Sequence, residues 1–168
     1  HVLLTIQAYD ETPASTHKFL PIVSLGDETD KGIQWAEMIA DAEGNYYYTS
    51  FSPAGFALPY FFFKIVHLPT TEVSLYVFNT VLCCLSLLFT MKLFADLFKG
   101  KLRKEVVMIV TTLLFAFQTE IMHGMGMVYW HQSLTQVLLP LQFLCFLHYE
   151  DDKKWRIGYY VLAVIMPY

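Results

Sequence analysis

The sequence predicts an all-α protein, a polytopic transmembrane helical bundle with a large outer loop that contains short juxtamembrane helices. Three observations carry this prediction. First, residues 74–98, 106–122 and 134–149 are apolar runs, and a fourth starts at 157 and is still apolar at 168. A hydrocarbon core about 30 Å thick is crossed by about 17–25 apolar helical residues. Second, charge is sorted. Residues 1–52 hold Asp10, Glu11, Asp27, Glu28, Asp30, Glu37, Asp41 and Glu43 against only Lys18 and Lys31. Third, the chain is 55% hydrophobic and 15% charged, well below the roughly 25% charge of a soluble domain. The net charge of −4 also argues against nucleic-acid binding, which needs a basic face.

Three regions follow: an acidic outer loop over 1–52, a juxtamembrane helix and turn over 53–73, and transmembrane helices over 74–168. Residues 2–12 predict a helix that leaves a preceding span and stops at Pro13. Residues 29–42 predict a second helix, with Asp30 near its start and Gly44-Asn45 as its breaker. Residues 1–6 read as the exit from an earlier span and 161–166 as a span in progress, so the sequence reads as a fragment truncated at both ends.

The run 53–68 is about 15 residues long, contains Pro59 and carries Lys64 and His67. Runs this short are interfacial or re-entrant more often than spanning. Tyr60, Lys64 and His67 at i, i+4 and i+7 form one polar stripe on an apolar helix, as an interface-lying helix requires. A short span is the alternative, and it would invert the topology. With 53–68 on the surface, the clusters Lys99, Lys101, Arg103, Lys104 and Lys153, Lys154, Arg156 are both cytoplasmic, because cytoplasmic loops collect Lys and Arg. The acidic loop and residues 119–133 are then outside. Cys83, Cys84 and Cys145 all lie in apolar runs and read as small packing residues.

Candidate chemistry concentrates outside the spans. Asp10-Glu11 places two carboxylates just past a helix end: one can act as general base toward an acceptor, while the other helps hold a partner or a divalent cation. A solvated acidic pair is the plain alternative. Tyr46, Tyr47 and Tyr48, followed by Ser52-Pro53, suit either headgroup-level anchoring or a platform for a sugar ring. Lys64 can grip a phosphate at the membrane surface or simply extend toward water. His131, in the short outer loop with His123 and the pair Tyr129-Trp130, can contact phosphate or metal or serve as a polar interface residue. Lys92 and Asp96, four apart near a span end, read as a surface-seeking ion pair. No nucleotide-binding glycine loop, zinc helix or nucleophile elbow is present.

The order of features resembles the N-terminal part of the GT-C superfamily of membrane glycosyltransferases, closest to protein O-mannosyltransferases and bacterial lipid A aminoarabinose transferases. The matching pieces are Asp10-Glu11 after a span and Tyr48-Thr49-Ser50-Phe51-Ser52-Pro53-Ala54-Gly55-Phe56 leading into an aromatic juxtamembrane run. Ser52 stands where that family commonly has Lys, and Ala54 replaces a second Pro. The resemblance implies inverting transfer of a sugar from a polyprenyl-phosphate donor to a lipid, glycan or protein acceptor. It implies an integral, multi-pass protein of the bacterial inner membrane with 1–52 on the outer side, Asp10 as base and Glu11 as its helper. Tyr46, Tyr47, Tyr48 and Ser52 would line the substrate cleft, with Lys64 or His131 near the carrier phosphate. Asp30 and Asp41 are alternative acids. A transporter would need ionisable groups or broken helices at mid-membrane depth, and only Pro140, Gln136 and Gln142 hint at this. A non-catalytic membrane subunit would use the acidic loop to bind a partner.

Overall fold

The computed structural model describes residues 1–24, 41–42, 44–48, 52–117, 129 and 131–165. These residues are all-helical apart from one isolated β-bridge: six α-helices and a short 3-10 turn. The chain divides into two compact units, His1–Phe78 and Asn79–Tyr168.

In the first unit, α1 (Val2–Glu11) buries Val2, Thr5, Ile6, Ala8 and Tyr9. It stops where predicted. Thr12 is extended (φ −131°, ψ 135°) because Pro13 disfavours a helical predecessor. The Thr12 amide still bonds the Ala8 carbonyl at 2.9 Å. The chain then turns through Lys18 (φ 53°) and Phe19 (φ 59°). Two consecutive left-handed non-glycine residues are costly and persist only where the surroundings hold them. Here α1 does so: the Tyr9 hydroxyl donates to the Leu20 carbonyl at 2.9 Å and the Thr5 hydroxyl to the Ile22 carbonyl at 2.7 Å. Ile22 forms an antiparallel bridge with Tyr47, flanked by Val23 N–H to Tyr46 O (2.9 Å) and Tyr48 N–H to Pro21 O (2.8 Å). Most of the helix expected over 29–42, with Asp30, lies outside the described residues. Its predicted end is a turn: Asp41 Oδ1 accepts from the Asn45 amide at 2.8 Å, and Gly44 takes φ 83°, the left-handed conformation that glycine adopts without strain.

The second helix, α2 (Ala54–Val66), starts with Pro53 at φ −56°, pre-set for a first turn. Gly55, Phe56, Pro59 and Phe63 are buried, one helical stripe that packs on α1. Leu58, Phe61, Ile65 and Val66 are exposed. The predicted polar stripe needs one correction. His67 is not on the helix but in its left-handed C-cap (φ 57°), so the stripe is Tyr60 and Lys64 alone. Thr71 then caps the next helix, α3 (Glu72–Leu97), accepting the Ser74 amide at 3.3 Å, with Glu72 in the first turn where the helix dipole favours it.

Helix α3 (Glu72–Leu97) has 26 residues, about 39 Å at 1.5 Å per residue. It is the one helix among the described residues long and apolar enough to cross a membrane, and it matches the run 74–98. The other expected spans are shorter. Helix α4 (Lys104–Phe117) has 14 described residues; 118–122 lie outside the described residues. Helix α5 (Thr135–Leu147) has 13 and follows the 3-10 turn His131–Leu134. Helix α6 (Lys153–Ile165) also has 13, and 166–168 lie outside the described residues. It begins four residues before the predicted 157. Asp152 explains this: its carboxylate accepts the Lys154 amide at 3.1 Å, an N-cap that draws the basic cluster into the first helical turn.

In the second unit α5 packs on α6 where Gly158 meets Cys145: a Cβ on Gly158 would lie 3.0 Å from the Cys145 sulfur. All three cysteines are free, with Cys83 and Cys145 buried. Pro140 lies inside α5 and has no N–H for the Gln136 carbonyl. The Ser86 hydroxyl of α3 fills that gap, donating to Gln136 O at 2.6 Å. On α4 only Val107 and Thr111 are buried, while Ile109, Val110, Leu113, Leu114 and Phe117 are exposed.

Candidate functional site

Asp10 occupies the last turn of α1. A carboxylate there faces the negative end of the helix dipole, an unfavourable placement. Two groups from distant sequence offset it. Lys64 Nζ of α2 lies 2.5 Å from Asp10 Oδ1, and the Thr70 hydroxyl donates to Asp10 Oδ2 at 2.7 Å. Both charged side chains remain reachable, Lys64 at 54% and Asp10 at 30% exposure. The hydrogen bond to Asp10 raises the Lys64 pKa against the opposing effect of burial, so the amine stays an ammonium. Each Asp10 oxygen holds one donor and retains a free lone pair.

The walls of this site are aromatic. Lys64 Nζ sits 5.4 Å from the Tyr60 ring centre, within cation–π range. Tyr60 meets Tyr9 edge to face at 5.3 Å. Burial, then the neighbouring Tyr47 and Tyr60 phenols, push the Tyr9 hydroxyl up to about 12. Tyr47 is fixed from the other side by His17, whose Nδ1 lies 3.1 Å from the Tyr47 hydroxyl while its Nε2 lies 2.7 Å from Thr12 Oγ1. Tyr9, Tyr60 and Lys64 thus form a continuous path to Asp10, with Tyr47 close enough to Tyr9 to act on its ionisation.

The expected residues separate into those that meet here and those that do not. Asp10, Lys64 and Tyr47 belong to the cluster. Glu11 is exposed and has no ion-pair or hydrogen-bond partner among the described residues. Tyr46 shares the bridge but is defined by its backbone, its amide donating to Ser24 Oγ at 2.7 Å. Tyr48 stacks on His1 at 5.6 Å and tilts against Phe56 at 5.7 Å. Ser52 accepts the Ala54 amide at 3.2 Å, a helix-start role. Asp41 is committed to its turn through Asn45. His131 opens the 3-10 turn of the second unit; His123 and Glu120 lie outside the described residues. Among the described residues no group of three or more His, Cys, Asp or Glu gathers to hold a metal ion.

Tyr9, His17 and Thr70 were not singled out from sequence. Thr70 lies 60 positions from Asp10, and no local pattern marks it. A second polar cluster was only half visible. Lys92 and Asp96 pair at 2.5 Å as expected, but Asp96 also meets His148 Nε2 at 2.8 Å, and His148 Nδ1 meets Asp151 at 2.6 Å. His148 stacks on Trp155 at 5.2 Å, and Tyr149 contacts Tyr159 and Tyr160.

No protein-family model, curated protein or solved structure matches this chain.

Proposed function

We propose that this chain is part of a multi-pass membrane glycosyltransferase of GT-C type, in which Asp10 is the general base. The observation that carries the proposal is the Asp10–Lys64–Thr70 cluster. It puts a positioned carboxylate beside a cation at the edge of an aromatic wall. In this reading Asp10 takes the proton from an acceptor hydroxyl. The acceptor oxygen attacks the anomeric carbon, the bond from that carbon to the carrier phosphate breaks, and the polyprenyl phosphate leaves with the electron pair. Inversion at the sugar follows. Lys64 screens the leaving phosphate, and its move toward phosphate frees Asp10 to accept the proton. Glu11, exposed and unpartnered among the described residues, assists acceptor binding. Tyr9, Tyr47 and Tyr60 offer the faces on which a sugar ring packs. The donor is a polyprenyl-phosphate sugar, and the acceptor a lipid, glycan or protein.

Membrane placement rests on α3 and on the exposed apolar faces of α2 and α4, which would face lipid. The protein is then multi-pass in a bacterial inner membrane, with the Lys99–Lys104 cluster cytoplasmic and residues 1–52 outside. The test is genetic and chemical. The gene encoding the chain is deleted, and membrane glycolipids and surface glycans are compared by mass spectrometry. Loss of one sugar-modified product that returns on complementation supports transfer. An unchanged glycan profile refutes it.

A further inference from the structure

We infer that the cavity at the turn between α3 and α4 is a binding site for the headgroup of an anionic phospholipid. It rests on the membrane reading above, not on the transferase chemistry. The cavity has a volume of about 490 Å³, with Lys92, Asp96, Lys99 and Lys104 in its lining together with Leu88, Met91 and Met108. Between 92 and 105 the chain carries Lys92, Lys99, Lys101, Arg103 and Lys104 against Asp96 and Glu105, an excess of three positive charges by that count (5 − 2).

The charges are not equivalent. Lys92 is neutralised by Asp96, and Asp96 is held by His148. Lys99 and Lys104 have no ion-pair partner among the described residues, so two ammonium groups in the cavity wall lack a counter-anion. The turn between them is open: Gly100, at φ 80°, has nothing within 4 Å of where a Cβ would stand. The apolar side of the cavity decides which anion fits. Leu88 lies one helical turn before Lys92 on α3, about 6 Å deeper along the axis. Met91 is joined to α4 by the Thr112 hydroxyl, 3.8 Å from its sulfur. Cations at the helix ends above an apolar cleft between helices match a phosphate joined to an acyl chain. Free phosphate has no use for the apolar wall. Basic pockets between helix ends on the cytoplasmic side attract anionic headgroups.

The test uses the whole chain in bilayer nanodiscs of phosphatidylcholine mixed with phosphatidylglycerol, with retained lipid read by native mass spectrometry. The wild type should retain phosphatidylglycerol over phosphatidylcholine. Lys99→Gln with Lys104→Gln should weaken that preference about 30-fold, while Lys153→Gln with Lys154→Gln, which removes the same charge elsewhere, should keep it. Equal loss in both double variants overturns the site in favour of diffuse surface charge. Displacement of the lipid by inorganic phosphate overturns the lipid as ligand. Release of the protein from cell membranes by alkaline carbonate overturns the membrane reading together with the site, whereas firm membrane retention with no headgroup preference overturns the site alone.

Discussion

The Ser86–Gln136 contact makes a quantitative prediction that depends on Pro140. Pro140 has no N–H, so the Gln136 carbonyl loses the donor one turn ahead of it. The Ser86 hydroxyl, buried at 3% exposure, supplies a donor at 2.6 Å. Ser86→Ala leaves a buried acceptor short of a partner. Such a loss costs about 1–3 kcal/mol in general, and interhelical bonds in membranes centre near the lower end, so about 1 kcal/mol is expected. In a Pro140→Ala background the new amide at 140 can reach Gln136 O within the helix, and Ser86→Ala should then cost less than about 0.3 kcal/mol. The coupling in the double-mutant cycle is therefore about 0.7–1 kcal/mol. Reversible unfolding in mixed micelles, followed by tryptophan fluorescence, measures all four proteins. Additive effects would refute the reasoning, because they would mean that the hydroxyl and the missing amide do not serve the same carbonyl.

Four further outcomes are expected. Tyr9 ionises near 12 against an ordinary value of about 10; a raised folded value gives stability that is complete below about 10 and lost as pH rises through about 12. Tyr9→Phe should therefore remove a step near 12 in the tyrosinate absorbance titration, and removal of a step near 10 would contradict the burial. Lys64 is raised by Asp10, so the pair's contribution is present below the ordinary lysine range and lost above it; Asp10→Asn should lower the Lys64 midpoint in an NMR titration, and an unchanged midpoint would dissolve the pair. Gly158→Leu should destabilise the α5–α6 pair by about 1–3 kcal/mol through overpacking against Cys145, measured by the same micelle unfolding; wild-type stability in that variant would remove the close contact. An impermeant thiol reagent should label Ala42→Cys on intact cells and Lys101→Cys only after permeabilisation, and the reverse pattern would invert the topology.

Local patterns were readable in the sequence, and long-range pairings were not. The α3 run, the stop of α1 at Pro13 and the Gly44 turn follow from hydropathy and backbone constraints that act within a few residues. The start of α6 at Lys153 was missed because the hydropathy signal begins at Ile157, while the start is set by the Asp152 cap. His67 followed the helical spacing, yet its left-handed conformation takes it off the helix. In the site, the importance of Asp10 was visible as an acidic residue at a helix end. Lys64 was visible as a candidate cation, but its pairing with Asp10 was not, nor was Thr70, since the fold of α1 on α2 brings them together across more than fifty residues. His148 escaped notice for the same reason: its partner Asp96 is 52 positions away.

The central claim is that Asp10 removes the acceptor proton, and the most direct measurement compares Asp10→Asn with wild type at matched membrane expression in the deletion strain. The sugar-modified product is quantified by mass spectrometry over time. Loss of a positioned base lowers the rate by about 10²–10⁴-fold, so Asp10→Asn should restore almost no product while Glu11→Gln restores part of it. Full restoration by Asp10→Asn would contradict the assignment and place the base elsewhere in the loop.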